Sequence, residues 1–405
     1  MLVAFWRTPV YVLLGATCIL LVTSGVRQSF GLFIQPISID MNWGREPISF
    51  AIATQNLMVG LGAPFAAMIA DRWGPIRVIS VGAFVGAVGL ILSSQVTTQT
   101  EFMLGTGFLM GIGMSGCGLG LMNAFVGRIA PEQRRMTWLG IVSAGGTMGQ
   151  FIFVPFSQSM ISAFDWRHAM IVMSIALFIA VPIALSMRAG SAEGLAKWTK
   201  QSLGEALREA AGHRGYLLLV SGYFVCGLQV QFIATHLPAY LTDSGLPAAL
   251  GAAAIATIGL FNLFGTLAAG RLGDRYRMKY LLSAIYFLRS LVMIVFLMTP
   301  ISQTSVLVFA GAMGLLWLST VPLTTGLIAH IFGPRYMATL AAIAFLSHQI
   351  GSFLGVWLGG LAFDMTGSYD SVWMFAIVAG FAAALIHLPI QDSPITRTAD
   401  GAAGA

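Results

Sequence analysis

Residues 67–77 read Ala67-Met68-Ile69-Ala70-Asp71-Arg72-Trp73-Gly74-Pro75-Ile76-Arg77, and the pattern returns 203 positions later (71 to 274) as Gly270-Arg271-Leu272-Gly273-Asp274-Arg275. Each copy is a charged loop that ends one long apolar run and precedes another. A second pair recurs at nearly the same offset: Pro131-Glu132-Gln133-Arg134-Arg135 leading to Gly149, and Gly333-Pro334-Arg335 leading to Gly351. Two matching loops at matching places imply a duplicated chain, each half built from the same succession of apolar runs.

Working outward from these loops, the runs fall at 9–36, 48–70, 76–96, 102–127, 136–162 and 167–187 (spans 1 to 6), then at 215–241, 247–270, 280–299, 305–330, 337–363 and 370–390 (spans 7 to 12). A membrane-crossing helix needs about 20 apolar residues, so twelve take roughly 240 of the 405. Hydrophobic residues make up 57% of the chain and charged ones only 9%, against about 25% in soluble domains. A soluble globule is excluded. The first run follows Arg7 as a signal peptide would, but it is too long and lacks a small-residue cleavage site, so it reads as a retained span.

The expected architecture is all-α and integral to the membrane: two six-helix bundles at 1–187 and 215–391, a linker at 188–214 and a tail at 392–405. The linker carries Leu203, Ala206 and Leu207 at helical spacing, the mark of an amphipathic surface helix. Of 21 Lys and Arg, 17 fall on the face that holds both termini, Arg45 and Arg167 on the other, and Arg27 and Arg289 inside spans. The positive-inside rule then makes both termini cytoplasmic. The net charge of +6 has no basic stripe with interleaved aromatics, so it reads as topology and not as a nucleic-acid footprint. Cys18, Cys117 and Cys226 lie singly in apolar runs, which offers neither a disulfide framework nor a metal site. No cofactor is implied.

The loop Ala67-x-x-Ala70-Asp71-Arg72-x-Gly74 and its second copy resemble the major facilitator signature Gly-x-x-x-Asp-Arg-x-Gly-Arg-Arg. The resemblance implies a twelve-helix secondary transporter in which Asp71, Arg72, Gly74, Arg77, Gly270, Asp274 and Arg275 form a gating latch. Small residues there are expected to let helices approach closely. Four further segments look like the monocarboxylate and oxalate/formate branch: Gly25-Val26-Arg27-Gln28-Ser29-Phe30-Gly31, Arg134-Arg135 with Ala144-Gly145-x-x-x-Gly149, His236-Leu237-Pro238-Ala239-Tyr240, and His348-Gln349-Ile350-Gly351. Relatives in that branch carry an arginine in span 8 where this chain has Thr266, and an Asp or Asn that matches Asn262. A site for anions therefore has to draw its cation from elsewhere, from Arg27 or Arg289. The glycine-proline signature of drug exporters is missing from span 5, which reads Gly149-Gln150-Phe151-Ile152-Phe153-Val154-Pro155.

Ionisable groups at mid-membrane cost several kcal/mol unless paired or placed on a water-filled path. Arg27 stands 13 residues before Asp40, roughly 20 Å of helix, and its planar fork suits a carboxylate. Arg289 stands about ten residues into span 9, roughly 15 Å deep, where helix bridging competes with solute contact. His348 is the candidate proton carrier, since imidazole titrates near neutral pH, and all fifteen acids lie in loops or at span ends. Gln28, Asn56, Asn123, Gln150, Gln229, His236, Asn262, Trp317 and Gln349, with Ser319 and Thr320, complete the polar set from which a substrate site is expected.

The sequence thus predicts a monomeric carrier in a bacterial inner membrane that moves a small organic anion resembling a monocarboxylate, as a proton symporter or an anion antiporter. A neutral or aromatic solute such as a vitamin or drug is the alternative. An enzyme would need a nucleophile with its base or clustered metal ligands, and neither pattern occurs.

Overall fold

Span 6 begins where Asp165 accepts a hydrogen bond from the His168 backbone N–H at 2.8 Å, and span 1 begins at Pro9 behind the Thr8 cap. Such caps satisfy the orphan donors of a helix end, which matters most in a chain with so little polar surface. In a computed structural model, which describes residues 8–187, 203–333 and 337–395, every regular element is helical. Twelve helices are long and apolar enough to cross a membrane: Pro9–Met41, Arg45–Trp73, Pro75–Ser94, Gln99–Ile129, Glu132–Ala163, Trp166–Ser186, Arg214–Asp243, Ala248–Gly273, Met278–Met298, Gln303–Phe332, Thr339–Thr366 and Asp370–His387. They match the twelve expected runs, with the largest difference at the end of span 1, which continues past residue 36 to Met41 and stops where Asn42 turns left-handed at φ 52°. Of the linker helix, Leu203–Gly212 is described and helical; residues 188–202 and the repeat residues Pro334 and Arg335 lie outside the described residues.

The duplication reappears in the packing. Span 1 pairs with span 5 as span 7 pairs with span 11; span 3 pairs with span 6 as span 9 pairs with span 12. The two bundles meet along span 2 against span 11 and span 5 against span 8. Glycines allow the tightest crossings. A β-carbon at Gly149 would strike the Leu21 carbonyl, and one at Gly351 would strike the Phe224 carbonyl, the equivalent place in the other half. The close approach expected at the loop signature is not found there: Gly270 has open space where its side chain would be, and Ala67 is exposed. Gly74 serves a different purpose, ending span 2 at φ 90°, a conformation that disfavours any residue with a β-carbon.

Three spans are interrupted, which their apolar sequences do not announce. Span 1 passes through a 3-10 segment at Phe30–Phe33. Span 4 has a π-helical stretch at Met103–Leu109 and ends its first helical part at Ser115, resuming at Leu119. Span 10 breaks between Leu316 and Thr320. Irregular backbone inside a bilayer requires partners within the protein, and at span 10 these are side chains of other spans: Asn262 accepts the Leu318 N–H at 3.0 Å and Arg289 takes the Leu316 carbonyl.

Candidate functional site

A cavity of about 10 Å³ lies between the bundles, lined from one half by Arg27, Gln28, Gln55 and Asn56 and from the other by Gln231 and Thr235. That space is about one water molecule's worth. Arg27 reaches it from the end of the helix Pro9–Gln28, just before the 3-10 segment. Its Nη2 donates to Asn56 Oδ1 at 2.6 Å, while Nε, on the same edge of the guanidinium, is buried without a partner. Gln55 Nε2 is a second buried donor without a partner. No carboxylate lines the cavity. One cationic edge, half occupied by a neutral amide oxygen, thus faces a wall of amides. That edge is the pair of parallel N–H groups that a carboxylate accepts in bidentate fashion.

Two amide bridges cross the seam nearby. Gln150 donates to the Ile255 carbonyl at 2.9 Å and accepts from Gln28 at 3.3 Å. Gln349 donates to the Asn56 carbonyl at 2.9 Å. His348, only 6% exposed, holds its Nδ1 3.1 Å from Gln349 Oε1 and packs against Tyr223 and Phe345.

Arg289 is fully buried but turned away from this cavity. Its Nε and Nη2 both donate to the Leu316 carbonyl, at 3.0 and 2.6 Å, Nη2 also reaches the Trp317 carbonyl, and Nη1 faces Cys226 Sγ at 3.3 Å. The protein fills the equivalent edge of this guanidinium. Asn262 is likewise committed, to Leu318 and to the Thr266 hydroxyl at 3.1 Å. Trp317 is fully buried, Ser319 bonds the Leu315 carbonyl, and Thr320 lies 3.2 Å from Cys226 Sγ. Gln229 donates to the Ala376 carbonyl at 2.9 Å and His236 Nε2 sits 2.8 Å from the Val356 carbonyl, both within the second half. Asn123 is half-buried on span 4, with its Oδ1 unpartnered. Of the expected residues, Arg27, Gln28 and Asn56 share the cavity, and Gln150, Gln349 and His348 adjoin it through hydrogen bonds.

The end of the bundle that carries Arg45 is closed. Arg45 grips both oxygens of Asp243, at 2.5 and 2.7 Å, donates to Tyr369 at 2.8 Å and lies 3.7 Å over the Phe363 ring. Asp364 accepts the backbone N–H groups of Arg45 and Glu46 at 2.8 and 2.7 Å, capping span 2 from the other half, and Trp357 donates to Glu46 at 2.7 Å. At the opposite end, ion pairs stay within halves among the described residues: Asp71 with Arg128 at 2.5 Å, and Arg277 with Asp392. The Arg277 guanidinium holds the Asp392 carboxyl below the usual carboxylate range. Arg72, Arg77, Asp274 and Arg275 are exposed there.

Sequence reasoning passed over Gln55, Gln231 and Thr235, and it treated Arg45 as a topology marker only. Gln55 adjoins Asn56 and Gln231 lies two residues beyond Gln229 on the same helix, but nothing in either position separates a cavity-facing amide from helix-bridging glue.

The Major Facilitator Superfamily family model matches residues 13–356. The chain is similar to the MFS-type transporter YcxA of Bacillus subtilis (strain 168), 24% identical with 95% of this chain and 96% of that protein covered. It is also similar to Monocarboxylate transporter 13 of Rattus norvegicus, 26% identical with 90% and 85% covered. Among solved structures, a D-xylose-proton symporter superposes with a TM-score of 0.73 at 15% identity over 96% of this chain and 99% of that one. A bacterial homologue of the human lysosomal transporter Spinster, inward-facing and unoccupied, gives 0.73 at 17% identity over 94% and 95%.

Proposed function

The chain belongs to the major facilitator superfamily, a multi-pass membrane transporter of a small molecule and not an enzyme, and from that premise we propose that it carries a small organic monoanion held by Arg27. The observation that carries this reading is the half-free guanidinium edge of Arg27 in a cavity without acids. A carboxylate accepting from Nε and displacing the Asn56 oxygen from Nη2 satisfies both donors at once. Hydrogen bonds to charged groups contribute about 1.5–3 kcal/mol each, so the pocket favours an anion over a neutral solute. Arg289, with its edge already filled by carbonyls, is not the cation of the site. The names of relatives such as Monocarboxylate transporter 13 agree with this solute class.

The carrier works by rocking its two bundles about Arg27, the linker at 188–214 joining them. Both termini face the cytoplasm of a bacterial cell, so the closed Arg45 end is the outer one. One monomer suffices, and the anion moves with a proton held near His348 or in exchange for another anion. The loop residues Asp71, Arg72, Gly74, Arg77, Gly270, Asp274 and Arg275 act as the inner latch.

The test is uptake of radiolabelled acetate, lactate, pyruvate and benzoate into proteoliposomes. Arg27→Ala is expected to lower the transported acid's uptake at least tenfold, about the loss of one charged hydrogen bond, with Arg27→Lys in between. Unchanged uptake in Arg27→Ala removes Arg27 from the site. The second reading, a neutral polar solute, draws on the amide lining of Gln28, Gln55, Asn56 and Gln231. Thermal stabilisation by an uncharged compound and by no acid would favour it.

A further inference from the structure

Asn56 is fixed as an acceptor beside the cation of the site. Its Nδ2 donates to the Ile52 carbonyl one turn back at 3.1 Å, and its Oδ1 accepts from Arg27 Nη2 at 2.6 Å. A carbonyl can only accept and a guanidinium can only donate, so both neighbours demand the amide in this orientation. Asn56 is 2% exposed. Its oxygen holds the place on Nη2 that a carboxylate would take, while Nε beside it has no partner.

Arg27 and Asn56 belong to spans 1 and 2 of one bundle, so their bond can travel intact while that bundle tilts against the other. The seam-crossing contact of Asn56 is made by its main chain, whose carbonyl accepts from Gln349 at 2.9 Å and leaves the side chain to Arg27. The cavity of about 10 Å³ has room for about one water, so closure strips the guanidinium of most of its hydration. A buried charge without partners is costly. Arg289 avoids that cost permanently, through main-chain carbonyls. Arg27 has a single oxygen from a side chain, which a solute can displace.

We propose that Asn56 is a built-in stand-in for the solute, occupying Arg27 whenever the carrier is unloaded and so allowing it to reorient without cargo. On binding, the carboxylate accepts from Nε and Nη2, the Asn56 oxygen leaves Nη2, and no covalent bond changes. A neutral oxygen on one N–H group is a weaker partner than a carboxylate on both, so the solute still wins the site. The consequence is net transport in place of obligatory exchange. It rests on the reading of Arg27 as the cation of the site.

The test compares two fluxes from the same proteoliposomes, preloaded with whichever of radiolabelled acetate, lactate, pyruvate and benzoate the parent takes up. Dilution into buffer without acid reads net efflux, and dilution into the same unlabelled acid reads exchange. Valinomycin with equal potassium on both sides, together with a protonophore, keeps charge and pH from limiting either. The parent is expected to show net efflux; a parent that only exchanges overturns the proposal. Asn56→Ala is expected to lower net efflux at least about tenfold, as one lost hydrogen bond to a charged group implies, while exchange persists with its KM unchanged or lower. Asn56→Asp, which supplies a charged competitor, is expected to raise that KM. Should Asn56→Ala misfold, Asn56→Ser repeats the test: its oxygen sits one bond nearer the backbone, within reach of the Ile52 carbonyl and withdrawn from Arg27. An unchanged ratio of net efflux to exchange in the variant that folds overturns the proposal. That ratio unchanged while Arg27→Ala loses uptake rejects the stand-in alone, whereas full uptake in Arg27→Ala removes the reading beneath it.

Discussion

Replacing Asp243 by Asn tests how the Arg45 end is held shut. The substitution keeps the size of the side chain but removes its charge and one of the two oxygens that Arg45 grips. An exposed ion pair is worth under about 1 kcal/mol, whereas breaking a buried one costs about 3–5 kcal/mol. Here the arginine side chain is 9% exposed and the aspartate 27%, and Tyr369 and Phe363 continue to hold the guanidinium. The pair falls between these limits, at about 2 kcal/mol, which is roughly a thirtyfold shift toward opening. With the Arg45 end outward as proposed above, the assay is the rate at which a membrane-impermeant thiol reagent, added outside intact cells, modifies Thr235→Cys in a background where the three native cysteines are serine. Thr235 lines the cavity and is 4% exposed, so its reaction reports the open population. Asp243→Asn is expected to raise the rate about thirtyfold, and Asp243→Glu to return it toward the parent. A rate within about twofold of the parent would refute the idea that this pair seals the carrier.

Three further outcomes follow from particular contacts. Asp165→Ala removes the cap of span 6 and is expected to lower stability by about 1 kcal/mol, with Asp165→Asn largely sparing it, read by thermal melting. Gly149→Ala forces a β-carbon against the Leu21 carbonyl and is expected to cost about 1–3 kcal/mol; a melting temperature equal to the parent's would contradict so close a crossing. Because Arg277 lowers the folded-state pKa of Asp392, the carboxylate's contribution is present above the unfolded value of about 3.9 and lost as pH falls through the lower folded value. Hydrogen exchange at 388–395 should therefore accelerate only below about pH 4, and Asp392→Asn should abolish that pH dependence.

The spans were legible because a bilayer demands some twenty apolar residues at a time, a signal that survives without knowledge of packing. The duplication was legible because charged loops interrupt those runs twice in the same way. The break in span 10 was not: Leu315-Leu316-Trp317-Leu318 reads as unbroken helix, and the groups that stabilise the break, Arg289 and Asn262, come from other spans. Arg27 stood out as an ionisable group in an apolar run, but the contrast between its half-free edge and the filled edge of Arg289 exists only in three dimensions. Arg45 and Asp243 sit at span ends where charge is ordinary, so their pairing across nearly 200 positions had no local trace.

The interruption of span 10 also places two opposed backbone dipole ends in the interior, where a continuous helix would have none. The segment Gln303–Leu316 ends in carbonyls, its negative pole, at the Arg289 guanidinium, and the segment Thr320–Phe332 begins, with its positive pole, beside the Cys226 sulfur. Each pole carries roughly half an elementary charge. With the described acidic side chains in loops or at span ends, the interior thereby obtains an electrostatic field from the peptide groups themselves, oriented to steady a cation on one side and an anion on the other.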